Sequence, residues 1–212
     1  MQIEPQALPW QEAYKVLIGS VLPRPIAFVS TMDANGIANL APFSFFTAIC
    51  PNPMLVCFAP MLRGSDGSRK DTLENILQTN QFVINVVGES IVDQMNACSA
   101  EYAPDVDEFD QAGLTKGASC LVKPPRVMES QVQMECELEQ VLQFGDGPGS
   151  GSLVIGRVVM IHVVDELYQN GRIDTAQLQP VGRMAGNMYT RAFSDTFVVE
   201  RPISPNTKEK LR

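Results

Sequence analysis

Residues 126–144 most narrow the folds open to this chain. In VMESQVQMECELEQVLQF, Val132, Met134, Cys136 and Leu138 alternate with Gln133, Glu135, Glu137 and Glu139. Successive side chains of a strand point to opposite faces, so this period of two predicts a long strand with one apolar and one wet face. GDGPGSG (145–151) then turns the chain, and SLVIGRVVMIHVVD (152–165) predicts the returning strand. A pair this long presents an apolar face that needs more strands to cover it. The rest of the chain supplies them: RPIAFVST (24–31), IANLAPFSFFTAI (37–49), PMLVCFAP (53–60) and QFVINVV (81–87). DANG (33–36) joins the first two, because Asn-Gly suits the positive φ angles of tight hairpins.

Helical spacing is confined to short stretches. It predicts helices at about 9–18, at 68–80 with Leu73, Ile76 and Leu77 on one face, and at 90–100 with Ser90 as N-cap. EYAPDVDEFDQAGL (101–114) reads as an acidic loop with one helical turn, and the tail from Glu166 as irregular. Six or seven strands with short connections close best into an antiparallel barrel, which removes exposed edges. The expected class is therefore mainly β with short helices. No composition shift marks a boundary, so the 212 residues read as one domain.

Charge and cysteine usage exclude several functions. Sixteen basic and 24 acidic residues give a net charge of −8, which argues against nucleic-acid binding. A local positive cluster could still hold a small anion. No stretch approaches ~18 apolar residues, so no membrane span is expected, and MQIEPQALPWQEAYKV lacks the apolar run of a signal peptide. The five cysteines are scattered, without a CxxC pair, and His162 is the single histidine, so no metal site is expected. Reduced thiols in a cytoplasmic protein fit this usage. His162 reads as a packed strand residue, and the acids Asp105, Asp107, Glu108 and Asp110 as a solvated loop face.

Two stretches carry more. SRKDT (68–72) opens a helix, where free N–H groups and the helix dipole favour an anion, yet it places Arg69 and Lys70 there. An ordinary surface helix capped by Asp71 or Thr72 and a phosphate cradle read equally well. NLAPFSFF (39–46) is a strand broken by Pro42, which leaves neighbouring backbone groups without ladder partners. A bulge at a barrel corner explains it. So does a flat heteroaromatic ligand whose polar edge meets those groups.

Taken in order, RPIAFVSTMDANGIANLAPFSFFTAICPNPMLVCFAP, RKDTLENILQTNQFVINVV, MNACSAEYAPDVDEFDQAGL, PPRVMESQVQMECELEQV, LVIGRVVMIHV and GRMAGNMYTR resemble the flavin reductase-like family over about residues 20–191. The resemblance implies an FMN-binding split β-barrel that forms a homodimer with FMN near the subunit interface. By position, Ser30, Thr31 and the backbone of Asn39, Leu40, Ala41, Pro42 and Ser44 would line the flavin, with Phe45 and Cys50 as neighbours. Arg69, Lys70 and Thr72 would hold the phosphate, with Asp71 in the same stretch, and Tyr189 would approach the site. NAD(P)H would serve as a transient co-substrate, and a monooxygenase or electron-transfer protein as partner. An FMN electron carrier and a non-enzymatic β-barrel module are the other readings of the same residues.

Overall fold

A computed structural model describes residues 1–200 and 202. Its centre is one seven-stranded antiparallel sheet. The strands are β1 (Ala27–Met32), β2 (Ala38–Phe43), β3 (Phe46–Pro51), β4 (Met54–Phe58), β5 (Gln81–Val86), β6 (Val132–Phe144) and β7 (Gly151–Val163). Their spatial order is β2-β1-β5-β6-β7-β4-β3.

That order answers the question raised by NLAPFSFF. Residues 37–49, read from sequence as one returning strand, are two strands on opposite edges of the sheet. Only Ser44 and Phe45 separate them, so the sheet must curl until its edges meet at this corner. β2 and β3 form no ladder with each other, and the barrel stays split. Pro42 sits on β2 opposite Phe28. An edge strand tolerates its missing N–H, because one side of such a strand has no ladder to serve. Bulges between Glu135 and Cys136 and between Leu138 and Gln140 add curvature to the long hairpin.

The barrel interior holds Ala27, Val29, Phe43, Val56, Phe58, Phe82, Ile84, Cys136 and Val154, closed at one end by Leu73 and Ile76. Phe58 stands 5.0 Å from Phe43 and 5.6 Å from Phe82, ring centre to ring centre. Gly156 is required here. A Cβ at this position would lie 2.2 Å from the Phe82 ring. Leu73 and Ile76 belong to helix α2, which follows α1 (Trp10–Ser20) and spans Asp71–Thr79, where Asn80 ends it in the left-handed conformation. The outer face of β1 and β2 is covered by Ile91, Met95, Phe109 and Val181. Met95 comes from α3 (Val92–Ala97) and Phe109 from α4 (Glu108–Ala112).

Four further expectations change. The helix read over 90–100 is a 3-10 turn, Glu89–Ile91, followed by α3, and Ile91 rather than Ser90 occupies the N-cap. The tail is not irregular: Tyr168–Gln169 pairs with Arg172–Ile173, α5 spans Thr175–Leu178, and Val181–Arg183 pairs with Tyr189–Arg191. The supposed wet face of β6 is dry at its start, with Gln133 5% and Glu135 0% exposed. The acidic loop is not wholly solvated, because Glu108 is buried. Among the described residues no helix is long and apolar enough to cross a membrane.

Candidate functional site

Two cavities meet at Pro42 and Ser99 beside the barrel corner. The narrow one, about 70 Å³, is lined by Asn39, Ala41, Lys70, Asp71 and Thr72 together with Arg63 and Glu101. The kinked segment and the tip of α2 therefore converge on one space. The wider one, about 360 Å³, is bounded by Tyr14, Arg24, Ser44, Asn96, Arg183 and Tyr189.

A buried polar network holds the narrow cavity open. Asn39 Nδ2 donates to Glu108 Oε1 at 2.7 Å, and the Leu40 N–H donates to Glu108 Oε2 at 2.9 Å. Asn39 Oδ1 accepts from Thr72 Oγ1 at 2.8 Å and from Thr31 Oγ1 at 3.3 Å. Asn75 Nδ2 donates to Thr31 Oγ1 at 3.1 Å. One asparagine thus ties the kinked strand to the helix tip and to the acidic loop. Burial pushes the Glu108 carboxyl above the usual range, only partly offset by the Leu40 N–H and Asn39, and Asp107 adds to the rise. Asp107 caps α4 by accepting the Phe109 N–H at 3.0 Å.

The start of α2 has no side-chain cap, and Lys70 occupies its N-cap. Asp71 does not cap it; its Oδ2 pairs with Arg63 at 2.7 Å. Lys70 has no carboxylate partner within salt-bridge distance among the described residues, and its ammonium lies 5.9 Å from the Phe43 ring centre. Burial pulls its pKa below the usual range, an effect that Glu101 opposes. A half-buried cation beside uncapped helix N–H groups is a site for an anion.

The other residues expected at the site are placed as follows. Pro42, Ser44 and Tyr189 line the wide cavity. The Tyr189 hydroxyl meets Asn96 Oδ1 at 3.1 Å. Phe45 faces two apolar cavities on the α1 side of the corner, the larger about 670 Å³. Ser30 is fully buried and donates to the Pro125 carbonyl at 2.5 Å. Leu40 lies in the core with only its backbone in the network. Cys50 lies on edge strand β3, its Sγ directed to the Pro53 carbonyl at 3.1 Å. Arg69 points outward to Glu74 and Gln143, each at 3.4 Å. Within one chain, Ser30, Thr31, Leu40, Phe45, Cys50 and Arg69 therefore do not line the two cavities.

Sequence reasoning missed Glu108, Asn75, Arg24 and Arg183 at this site. Glu108 was visible only as one acid among four. Arg183 stands in the same GRMAGNMYTR stretch as Tyr189, and its guanidinium lies 4.6 Å from the Tyr189 ring centre. Arg24, 4% exposed, donates to the Ile18, Val21 and Met184 carbonyls at 2.8, 3.0 and 3.0 Å, fixing the end of α1 and the tail against the corner.

One more cluster joins residues far apart in sequence. Cys120, Glu135 and His162 bring possible ligand atoms within 4.8 Å of one another. The Glu135 carboxylate is already used: it accepts the Cys120, Leu121 and Val122 N–H groups at 2.7, 2.6 and 3.1 Å and meets His162 Nε2 at 2.6 Å. Four donors fill its acceptor sites, so the cluster is a staple between β6, β7 and the 120–122 loop.

Comparison with known proteins places the fold. The model of the flavin reductase like domain matches residues 18–177. A protein of unassigned function from Halalkalibacterium halodurans is 40% identical over 211 residues, covering 99% of this chain and 100% of that one. The crystal structure of nitrilotriacetate monooxygenase component B from Bacillus cereus has a TM-score of 0.89 at 36% identity, covering 94% of this chain and 98% of that one. The 2-nitrobenzoate 2-nitroreductase of Pseudomonas fluorescens gives 0.85 at 30% identity, covering 95% and 96%. The chain accordingly belongs to the flavin reductase-like family of split-barrel, flavin-associated oxidoreductases.

Proposed function

We propose that this chain binds FMN across the two cavities and passes electrons from NAD(P)H through it to free flavin or another acceptor. The observation that carries the reading is the convergence of Asn39, Ala41 and Pro42 and the uncapped, lysine-bearing tip of α2 on the narrow cavity, which shares Pro42 and Ser99 with the wide one. FMN has a dianionic phosphate at one end and a flat ring at the other. Lys70 and the first N–H groups of α2, that of Thr72 among them, fit the phosphate. Ala41, Pro42, Ser44 and Tyr189 fit the ring. Thr31 acts at one remove, by holding Asn39, and Asn75 holds Thr31 in turn. When bound, FMN supplies the two-electron redox chemistry, and the chain supplies binding, orientation and electrostatics.

Similarity to a monooxygenase component supports a monooxygenase or electron-transfer protein as the acceptor's source. A homodimer is part of the same proposal. Trp10, Leu17 and Phe144 are 36%, 49% and 61% exposed around the apolar cavity under α1, a surface that a second copy would cover. All five cysteines are free thiols, which favours the cytoplasm.

The test is an FMN titration followed by flavin absorbance. Lys70→Ala should weaken binding by ~1.5–3 kcal/mol, the worth of a charged hydrogen bond. Unaltered affinity in that variant removes Lys70 from the phosphate site. Anaerobic addition of NADH and NADPH in turn then separates a reductase, which bleaches rapidly, from an electron carrier, which does not.

A further inference from the structure

Four arginines outside the wide cavity have carboxylate partners: Arg63 meets Asp71, Arg69 meets Glu74, Arg157 meets Glu139 and Arg191 meets Glu89. The two arginines of the wide cavity do not. Arg24 directs its guanidinium to three carbonyls and, at 3.4 Å, to the Ser44 hydroxyl. Arg183 donates to the Gly186 carbonyl at 2.6 Å and lies over Tyr189. No Asp or Glu lines this cavity, although the chain holds 24 acids against 16 bases. A guanidinium does not shed its proton, so burial cannot neutralise it as it can a lysine. Two such groups without a carboxylate among the lining residues keep a standing positive potential in the cavity, Arg24 from its buried wall and Arg183 from its half-buried one.

We propose that Arg24 and Arg183 make the wide cavity a cationic well that binds the reduced flavin ring more tightly than the oxidised one. The inference rests on the FMN reading above. The oxidised ring is neutral. Two electrons and one proton entering it leave one net negative charge. The cavity therefore interacts differently with the two states, and only such a difference can shift their equilibrium. By linkage, the ratio of the two dissociation constants is also the shift in midpoint potential relative to free FMN. A tenfold ratio corresponds to about 30 mV for a two-electron couple. The expected direction is upward, which favours accepting a hydride over releasing one.

The test measures the midpoint potential of the FMN-loaded protein by dye-equilibrated dithionite titration, together with its affinity for oxidised and reduced FMN. Wild type should sit above free FMN. Arg183→Gln should lower the potential by about 30 mV, a tenfold loss in the affinity ratio, while Arg183→Lys retains most of the wild-type value. Arg24 is kept, because it also anchors α1 and the tail. A wild-type potential at or below that of free FMN overturns the proposal without any variant. So does an Arg183→Gln protein that holds FMN at the wild-type potential. Failure of wild type to bind FMN at all is a different result, and it removes the FMN reading and this inference together.

Discussion

Glu108 and Glu135 are both buried glutamates on a protein of net charge −8, and they end with opposite acidities. Burial alone would raise both. At Glu135, burial is outweighed by the Cys120 N–H, His162, and the Leu121 and Val122 N–H groups, so its carboxyl lies below the usual range. At Glu108, the Leu40 N–H, its own N–H and the Asn39 amide leave burial in control, and the carboxyl lies above it. The donors together outweigh burial at Glu135 and do not at Glu108, where the neighbouring Asp107 charge adds to the rise. The first glutamate is a finished staple in the wall of the barrel. The second lines the candidate site, where its carboxylate orients Asn39 and Leu40 but is only partly stabilised.

The largest expected effect belongs to the staple. Glu135→Gln leaves donors facing donors and should cost ~3–5 kcal/mol in urea unfolding at neutral pH, the usual loss on breaking a buried pair. A depressed folded pKa means that Glu135 stabilises the protein above the ordinary glutamate range, an advantage lost as pH falls through the lower folded value. The gap between wild type and Glu135→Gln should therefore close in acid. A gap that stays constant with pH removes the carboxylate's charge from the explanation.

Glu108→Gln should be milder, about 1–3 kcal/mol, and its pH dependence should run the other way. A raised folded pKa gives stability that is full below the ordinary glutamate range and fades as pH rises through the folded value. The same variant should weaken FMN binding, since it disturbs Asn39 and Leu40, whereas folded Glu135→Gln should not. Equal loss of FMN affinity in both would erase the distinction between staple and site. His162→Phe is the smallest change. Three backbone donors remain on Glu135, so thermal unfolding should report only ~1 kcal/mol. A loss as large as that of Glu135→Gln would assign the staple to the imidazole.

What the sequence made legible follows the range of the interaction. The alternation over 132–138 is local, and it predicts β6. That Gln133 and Glu135 lie under the loop around 120–127 is a long-range fact, and a period of two carries no trace of it. Pro42 announces a broken strand, but only the sheet order shows that the halves occupy opposite edges. SRKDT marks a cationic helix tip. Which cation turns inward is decided by the fold: Lys70 at the N-cap faces the cavity, and Arg69 one residue earlier faces outward. Arg24 and Arg183 meet through a bridge between distant segments, Arg24 N–H to Arg183 carbonyl at 3.0 Å and the reverse at 2.8 Å.

The link formed by Ser44 and Phe45 sets how this chain tolerates changes in length. An added residue there would have to be absorbed by β2 or β3, and a one-place slip of β2 would trade its core-facing set for its helix-facing set. The 145–150 turn has no such duty, because it closes an ordinary hairpin at the barrel rim. Insertions and deletions should therefore collect at the second place and be purged from the first, even though both are short and neither is deeply buried.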